Sequence, residues 1–84
     1  MQIEKKDGRL EDFDRGKISR GVVAAGASSE TAEAIATEAE NWAGSVAVDG
    51  AITSGEIRNK VLELLQVQNP TAATNFEQYR KSAE

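Results

Sequence analysis

The 84-residue sequence contains no cysteine and no histidine. The first absence excludes a disulfide framework, a thiolate nucleophile and a cysteine-ligated zinc site. The second excludes Ser-His triads and imidazole metal sites. General acid or base chemistry would fall to Asp, Glu, Lys or Tyr. Large apolar side chains are also scarce: alanine supplies thirteen of the apolar positions and leaves twenty bigger ones. A chain this short buries only about 60% of its unfolded surface, so the expectation is one domain over residues 1–84 with a small core. No apolar run approaches the roughly 18 residues that span a bilayer. The opening Met1-Gln2-Ile3-Glu4-Lys5-Lys6 has no signal-peptide character. The expected setting is soluble and cytoplasmic, without membrane contact.

Positive charge is in deficit overall, ten Lys and Arg against fourteen Asp and Glu, for a net charge of −4. Sequence-independent nucleic-acid binding needs a basic stripe that releases counterions, so direct nucleic-acid contact is not expected. The deficit is uneven. Residues 1–20 hold six basic and five acidic groups, whereas residues 21–84 hold four and nine. The cations gather at the N-terminal end.

The local patterns predict an α+β fold, a small four-helix bundle capped by a short β-hairpin or three-stranded sheet. Residues 2–13 read as a hairpin around Asp7-Gly8, a pair suited to turn positions with positive φ. Leu10 and Phe13 have opposite parity, so one of them should lie past the strand or beside a bulge. Asp14 reads as an N-cap for a helix over Arg15–Ala25, with Gly26 as its stop. Gly16 and Gly21 inside it imply a weak helix or a close approach to its backbone. Ser28-Ser29 opens a second helix to Val46, whose Ala-rich face carries Trp42 as its large anchor. Asp49-Gly50 is a second turn, and Ala51-Ile52 suits a third strand. Thr53-x-x-Glu56 is a capping box before a helix to Gln66. Asn69-Pro70 separates it from a fourth helix carrying Ala72, Ala73, Phe76 and Tyr79. The expected shared core is Ile18, Val22, Ile35, Trp42, Ile57, Val61, Leu65, Phe76 and Tyr79.

Two places carry groups suited to chemistry. Lys5, Lys6 and Lys17 converge if the hairpin lies across the start of the first helix, with Glu11 and Asp14 interleaved. Lysines suit phosphate, and a carboxylate accepts from an amino group or a sugar hydroxyl. A charged edge strand whose lysines deter aggregation explains the same residues. Ser54 and Arg58, at the start of the third helix, form the second place, and an ordinary helix start explains the capping residues there. No Gly-x-x-x-x-Gly-Lys-Ser/Thr loop and no Gly-x-Gly-x-x-Gly turn is present, so a nucleotide would not be held in a common NTPase manner.

The stretch Lys5-Lys6-Asp7-Gly8-Arg9-x-Glu11-x-Phe13-Asp14-x-x-Lys17-Ile18 resembles the opening signature of the ATP-cone domain. Thr53-Ser54-x-x-Ile57-x-x-x-Val61 is similar to that family's third helix, and Ala73-x-x-Phe76-x-x-Tyr79-Arg80 to its closing segment. The resemblance implies a regulatory domain, not an enzyme. It implies reversible binding of ATP or dATP, with Mg2+, between sheet and bundle. Such domains occur in ribonucleotide reductase large subunits and in a repressor of reductase genes. This chain would then be a free-standing or excised domain of that kind. Its nucleotide would modulate self-association or a partner protein. Carried over by position, Lys5, Lys6 and Lys17 would meet the nucleotide, Glu11 and Asp14 would lie near base or sugar, and Ser54 and Arg58 would line the site. Lys6 stands where the family more often has Arg, and Phe76 where it has Tyr. The alternative is a protein-interaction module that keeps the fold without binding nucleotide.

Overall fold

The computed structural model describes residues 1–83, with side-chain surroundings through Gln78. Three short strands and four helices follow in the order β1 (Gln2–Glu4), β2 (Leu10–Asp12), α1 (Arg15–Ala24), α2 (Ser29–Val46), β3 (Ala51–Thr53), α3 (Ser54–Gln68) and α4 (Pro70–Ala83). The α+β expectation holds, with a three-stranded sheet in the order β2-β1-β3. β1 pairs antiparallel with β2 and parallel with β3, so Ile3 stands between Glu11 and Ile52.

Local chemistry sets each boundary. The Asp14 carboxylate accepts from the Gly16 N–H at 2.9 Å and caps α1. Gly26, at φ 113°, ends that helix. The N–H groups of Gly26 and Ala27 return to the carbonyls of Val23 and Val22, the paired bonds of a Schellman motif. Ser28 caps α2. Thr53 and Glu56 form the expected reciprocal capping box of α3. Asn69 serves two helices. Its N–H donates to the Leu65 carbonyl at 2.7 Å, and its side chain accepts from the Ala72 N–H at 3.1 Å. α3 runs two residues past the expected Gln66.

The two Asp-Gly turns differ. Asp49 and Gly50 have φ of 53° and 77°, and Val48 and Ala51 exchange both backbone bonds around them. This is a two-residue turn in which both positions need positive φ. In the first hairpin only Gly8 is left-handed, at φ 89°. Lys5 donates to the Arg9 carbonyl and Gly8 to the Lys5 carbonyl, a three-residue loop. In such a loop only the last position is left-handed, so Asp7 stays outside positive φ, and its carboxylate accepts from the Arg9 N–H at 3.0 Å.

The core lies among the helices and reaches the sheet through Ile52. Val22, Ile35, Ile57, Val61 and Leu65 are buried, as expected, with Ile52 of β3 among them. Ile18, Trp42 and Phe76 are half-buried and pack against that cluster. The Tyr79 side chain lies outside the described residues. Ala32, Ala36, Ala39 and Ala43 of α2 are almost completely buried. Helices meeting across alanines leave no space for an indole between them, so Trp42 sits at the margin, with Lys60 Nζ 5.6 Å from its ring centre. Leu10 is exposed, whereas Phe13, past the end of β2, turns inward. The parity conflict is resolved by ending the strand at Asp12.

The glycines of α1 have different surroundings. A Cβ on Gly16 would stand 3.0 Å from Asp14 Oδ1 and 3.1 Å from Arg20 Nη1. One on Gly21 would meet Phe76 at an ordinary 3.6 Å. The close approach expected from sequence is real at Gly16, where the N-cap side chain folds over the first turn.

Candidate functional site

Strand alternation puts Ile3, Glu11 and Ile52 on one face of the sheet. Ile52 is buried there, so this is the face turned toward the helices. Lys5, two residues beyond Ile3, continues the same side. The sheet does not close fully onto the bundle. A cleft of about 610 Å³ remains between the hairpin, the start of α1, the start of α3 and Phe76 of α4.

All seven residues singled out from sequence line this cleft: Lys5, Lys6, Glu11, Asp14, Lys17, Ser54 and Arg58. Lys5 and Glu11 are half-buried on its sheet wall, and Lys6 is exposed in the turn above. Asp14 and Lys17 are exposed on the α1 wall. Ser54, the first residue of α3, and Arg58, one turn later, are half-buried on the opposite wall. Apolar side chains, among them Ile3, Phe13, Ile18, Ile57 and Val61, also line it. A partly apolar pocket with a few convergent polar groups is the usual form of a small-molecule site.

Charge is arranged around Glu11. Its Oε1 lies 3.7 Å from both Lys5 Nζ and Lys17 Nζ, and its Oε2 lies 3.9 Å from Arg9 Nη1. One carboxylate on β2 thus faces cations from either side of the first turn and from α1. Asp14 is engaged in two ways, as the α1 cap and as the partner of Arg20 at 3.9 Å. Arg58 is fixed from α4: its Nη2 donates to the Phe76 carbonyl at 2.9 Å, and its guanidinium lies 4.7 Å above the Phe76 ring centre. The Arg9 backbone N–H donates to Asp7, and together with the Arg9 guanidinium at 2.7 Å holds that carboxyl below the usual carboxylate range. Among the described residues, the cleft lining has five cationic and four anionic side chains. The balance is slightly positive in a chain of net charge −4.

Arg9 also borders the cleft, although sequence reading gives it no site role. The available signal was its parity with Glu11, two residues along the same strand direction. Phe76, expected only as core, is both core margin and cleft wall. Its dual role depends on the crossing of α3 and α4, which no local pattern specifies. No helix of the described residues is long and apolar enough to cross a membrane.

Comparison with known proteins gives three findings. Residues 1–83 match the family described as the ATP cone domain. A segment of 38 residues, 45% of this chain, is 50% identical to an uncharacterised protein of Archaeoglobus fulgidus and covers 81% of it. Over 78 residues, 88% of this chain, the sequence is 36% identical to the transcriptional repressor NrdR of Syntrophus aciditrophicus, of which it covers 48%. The chain therefore spans about half the length of that repressor. With the family match running through hairpin, bundle and cleft alike, this chain belongs to the ATP-cone family of regulatory nucleotide-binding domains.

Proposed function

We propose that the cleft binds an adenine nucleotide, ATP and also dATP, and that occupancy biases an association of the chain with itself or with a partner protein. The chain performs no catalysis of its own in this reading. The observation that carries it is the convergence of Lys5, Lys6, Lys17, Ser54 and Arg58 from three separate elements on one cleft. The first three would meet the phosphates. Glu11 and Asp14 would face donors on base or sugar, and Ser54 and Arg58 would close the site from α3. The apolar lining suits the faces of a base. No group of three or more carboxylates able to hold a metal ion occurs among the described residues; magnesium would arrive on the triphosphate.

The kinship with a transcriptional repressor supports a regulatory setting. A bound nucleotide can shift an association only by its differential affinity for the two states. Calorimetric titration with ATP and with dATP, in the presence of magnesium, tests the binding step. Saturable binding in the micromolar to low-millimolar range, roughly −8 to −4 kcal/mol, is expected. Its absence at millimolar nucleotide would leave the protein-interaction module as the reading. Sedimentation with and without saturating ATP tests the second step, and identical profiles would remove self-association in favour of a partner protein.

A further inference from the structure

Glu11 stands among three of the cations that line the cleft. Its carboxylate stands between Lys5 and Lys17 at 3.7 Å from each, with Arg9 at 3.9 Å. These separations are ion-pair contacts beyond hydrogen-bond length, so the carboxylate holds the cations without locking them. Both lysines belong to the proposed phosphate contacts, and an anion already faces them.

We propose that Glu11 is a built-in counter-anion of the cleft, which holds Lys5 and Lys17 across the gap between sheet and α1 and must yield them when phosphate enters. The inference rests on the nucleotide reading of the same cleft and adds a regulating residue to it. Entry becomes an exchange. The polyphosphate takes Lys5 and Lys17, and the released carboxylate turns to donors on sugar or base. Affinity is thereby held below what the cations alone would give, which keeps binding reversible and responsive to concentration.

The exchange separates two ligands. Inorganic tripolyphosphate competes for the lysines but brings no sugar or base for Glu11 to accept from. ATP brings both. Replacement of Glu11 by the isosteric Gln removes the competing charge in each case, and removes a strong acceptor only for ATP. Glu11→Gln should therefore tighten tripolyphosphate binding by roughly tenfold, the scale of one nearby like charge in a partly solvated site. ATP should gain less. Glu4→Gln is the control: it changes the net charge equally from the exposed side of β1, outside the cleft, and should move neither ligand.

The experiment is calorimetric titration of tripolyphosphate and of ATP, without magnesium, into the wild-type chain, Glu11→Gln and Glu4→Gln, with thermal melts verifying that each is folded. Tripolyphosphate tightening in Glu11→Gln alone supports the proposal. Unchanged or weaker tripolyphosphate binding overturns it, and equal tightening in Glu4→Gln overturns it as well by tracing the gain to net charge. If wild type binds ATP while Glu11→Gln gains nothing for tripolyphosphate, the nucleotide reading survives and this inference fails. If neither ligand binds any of the three proteins, this inference fails, while the nucleotide reading stands or falls by the titration with magnesium.

Discussion

The Ser19 hydroxyl donates to Glu33 Oε2 at 2.7 Å across the contact between α1 and α2. Ser19 is the buried polar residue of the described core, and Glu33 answers it from the neighbouring helix. Arg15 completes the arrangement: its Nη1 donates to Glu33 Oε1 at 2.9 Å, and its Nη2 to the Thr37 hydroxyl at 2.6 Å. The same helix that presents Asp14 and Lys17 to the cleft is thus tied to α2 by a polar clamp.

That clamp predicts a pH dependence. The Ser19 hydrogen bond first, and then Arg15, hold the Glu33 carboxyl below its ordinary value of 4.5. A carboxyl whose pKa is depressed by folding contributes stability that is present above the unfolded pKa and lost as pH falls through the folded one. Glu33→Gln should therefore be less stable than wild type at pH 7 and converge with it as the pH falls well below 4.5. Urea melts across that range give the comparison, and a constant gap between the two proteins would contradict it.

Core substitutions should rank by position rather than by size. Leu65 is fully buried, and Leu65→Ala is expected to cost about 2–5 kcal/mol. Trp42 is only half-buried at the bundle margin, and Trp42→Ala should cost less, roughly 1–3 kcal/mol. Denaturant melts of the two variants decide the order. A larger loss at Trp42 would mean that the indole carries more of the core than its exposure indicates.

Three glycines should respond differently to alanine. Gly21→Ala adds a Cβ in ordinary contact with Phe76 and should stabilise the chain by up to about 1 kcal/mol through helix propensity. Gly16→Ala pushes against the Asp14 cap and Arg20, and should forfeit most of that gain. Gly26→Ala should destabilise by about 1 kcal/mol or more, because φ 113° is strained for any side chain. Thermal melts of the three variants check the sequence of effects.

At the site, Lys5→Ala combined with Lys6→Ala should weaken ATP by well over tenfold, since each charge-assisted contact contributes about 1.5–3 kcal/mol. The fold should survive, because neither residue belongs to the buried core. Added salt should weaken wild-type binding, as partly exposed charges are screened. Titrations at two ionic strengths test this together with the variant. A double variant that binds as tightly as wild type would remove the lysines from the site.

Much of the architecture is legible where one residue decides its own neighbourhood. Asp14, Ser28, Thr53 with Glu56, and Asn69 are caps whose side chains reach only two or three residues along the chain. Their positions in the sequence locate the helices almost to the residue. The parallel pairing of β1 with β3 is different. Ile3 and Ile52 meet only after two helices have crossed between them, and no local periodicity encodes such a partner. The same limit applies to the cleft. The hairpin cations stand out in an acidic chain, whereas the contact of Arg58 with Phe76 depends on how α3 and α4 cross. Trp42 misleads for a related reason: its size suggests an interior anchor, while the alanines around it set a helix spacing too small to admit it.

The central strand of the sheet precedes both of its neighbours in the chain. Its parallel partner follows about fifty residues later, and such distant pairing forms late because the intervening chain must first be ordered. Ser54 and Arg58 come directly after that partner strand, so the two walls of the cleft meet only at this late step. A ligand held between them would recognise the finished molecule and not the folding transition state. It should slow unfolding and leave the refolding rate unchanged. Stopped-flow refolding with and without ATP would read this directly, and faster refolding in its presence would show that the walls meet earlier.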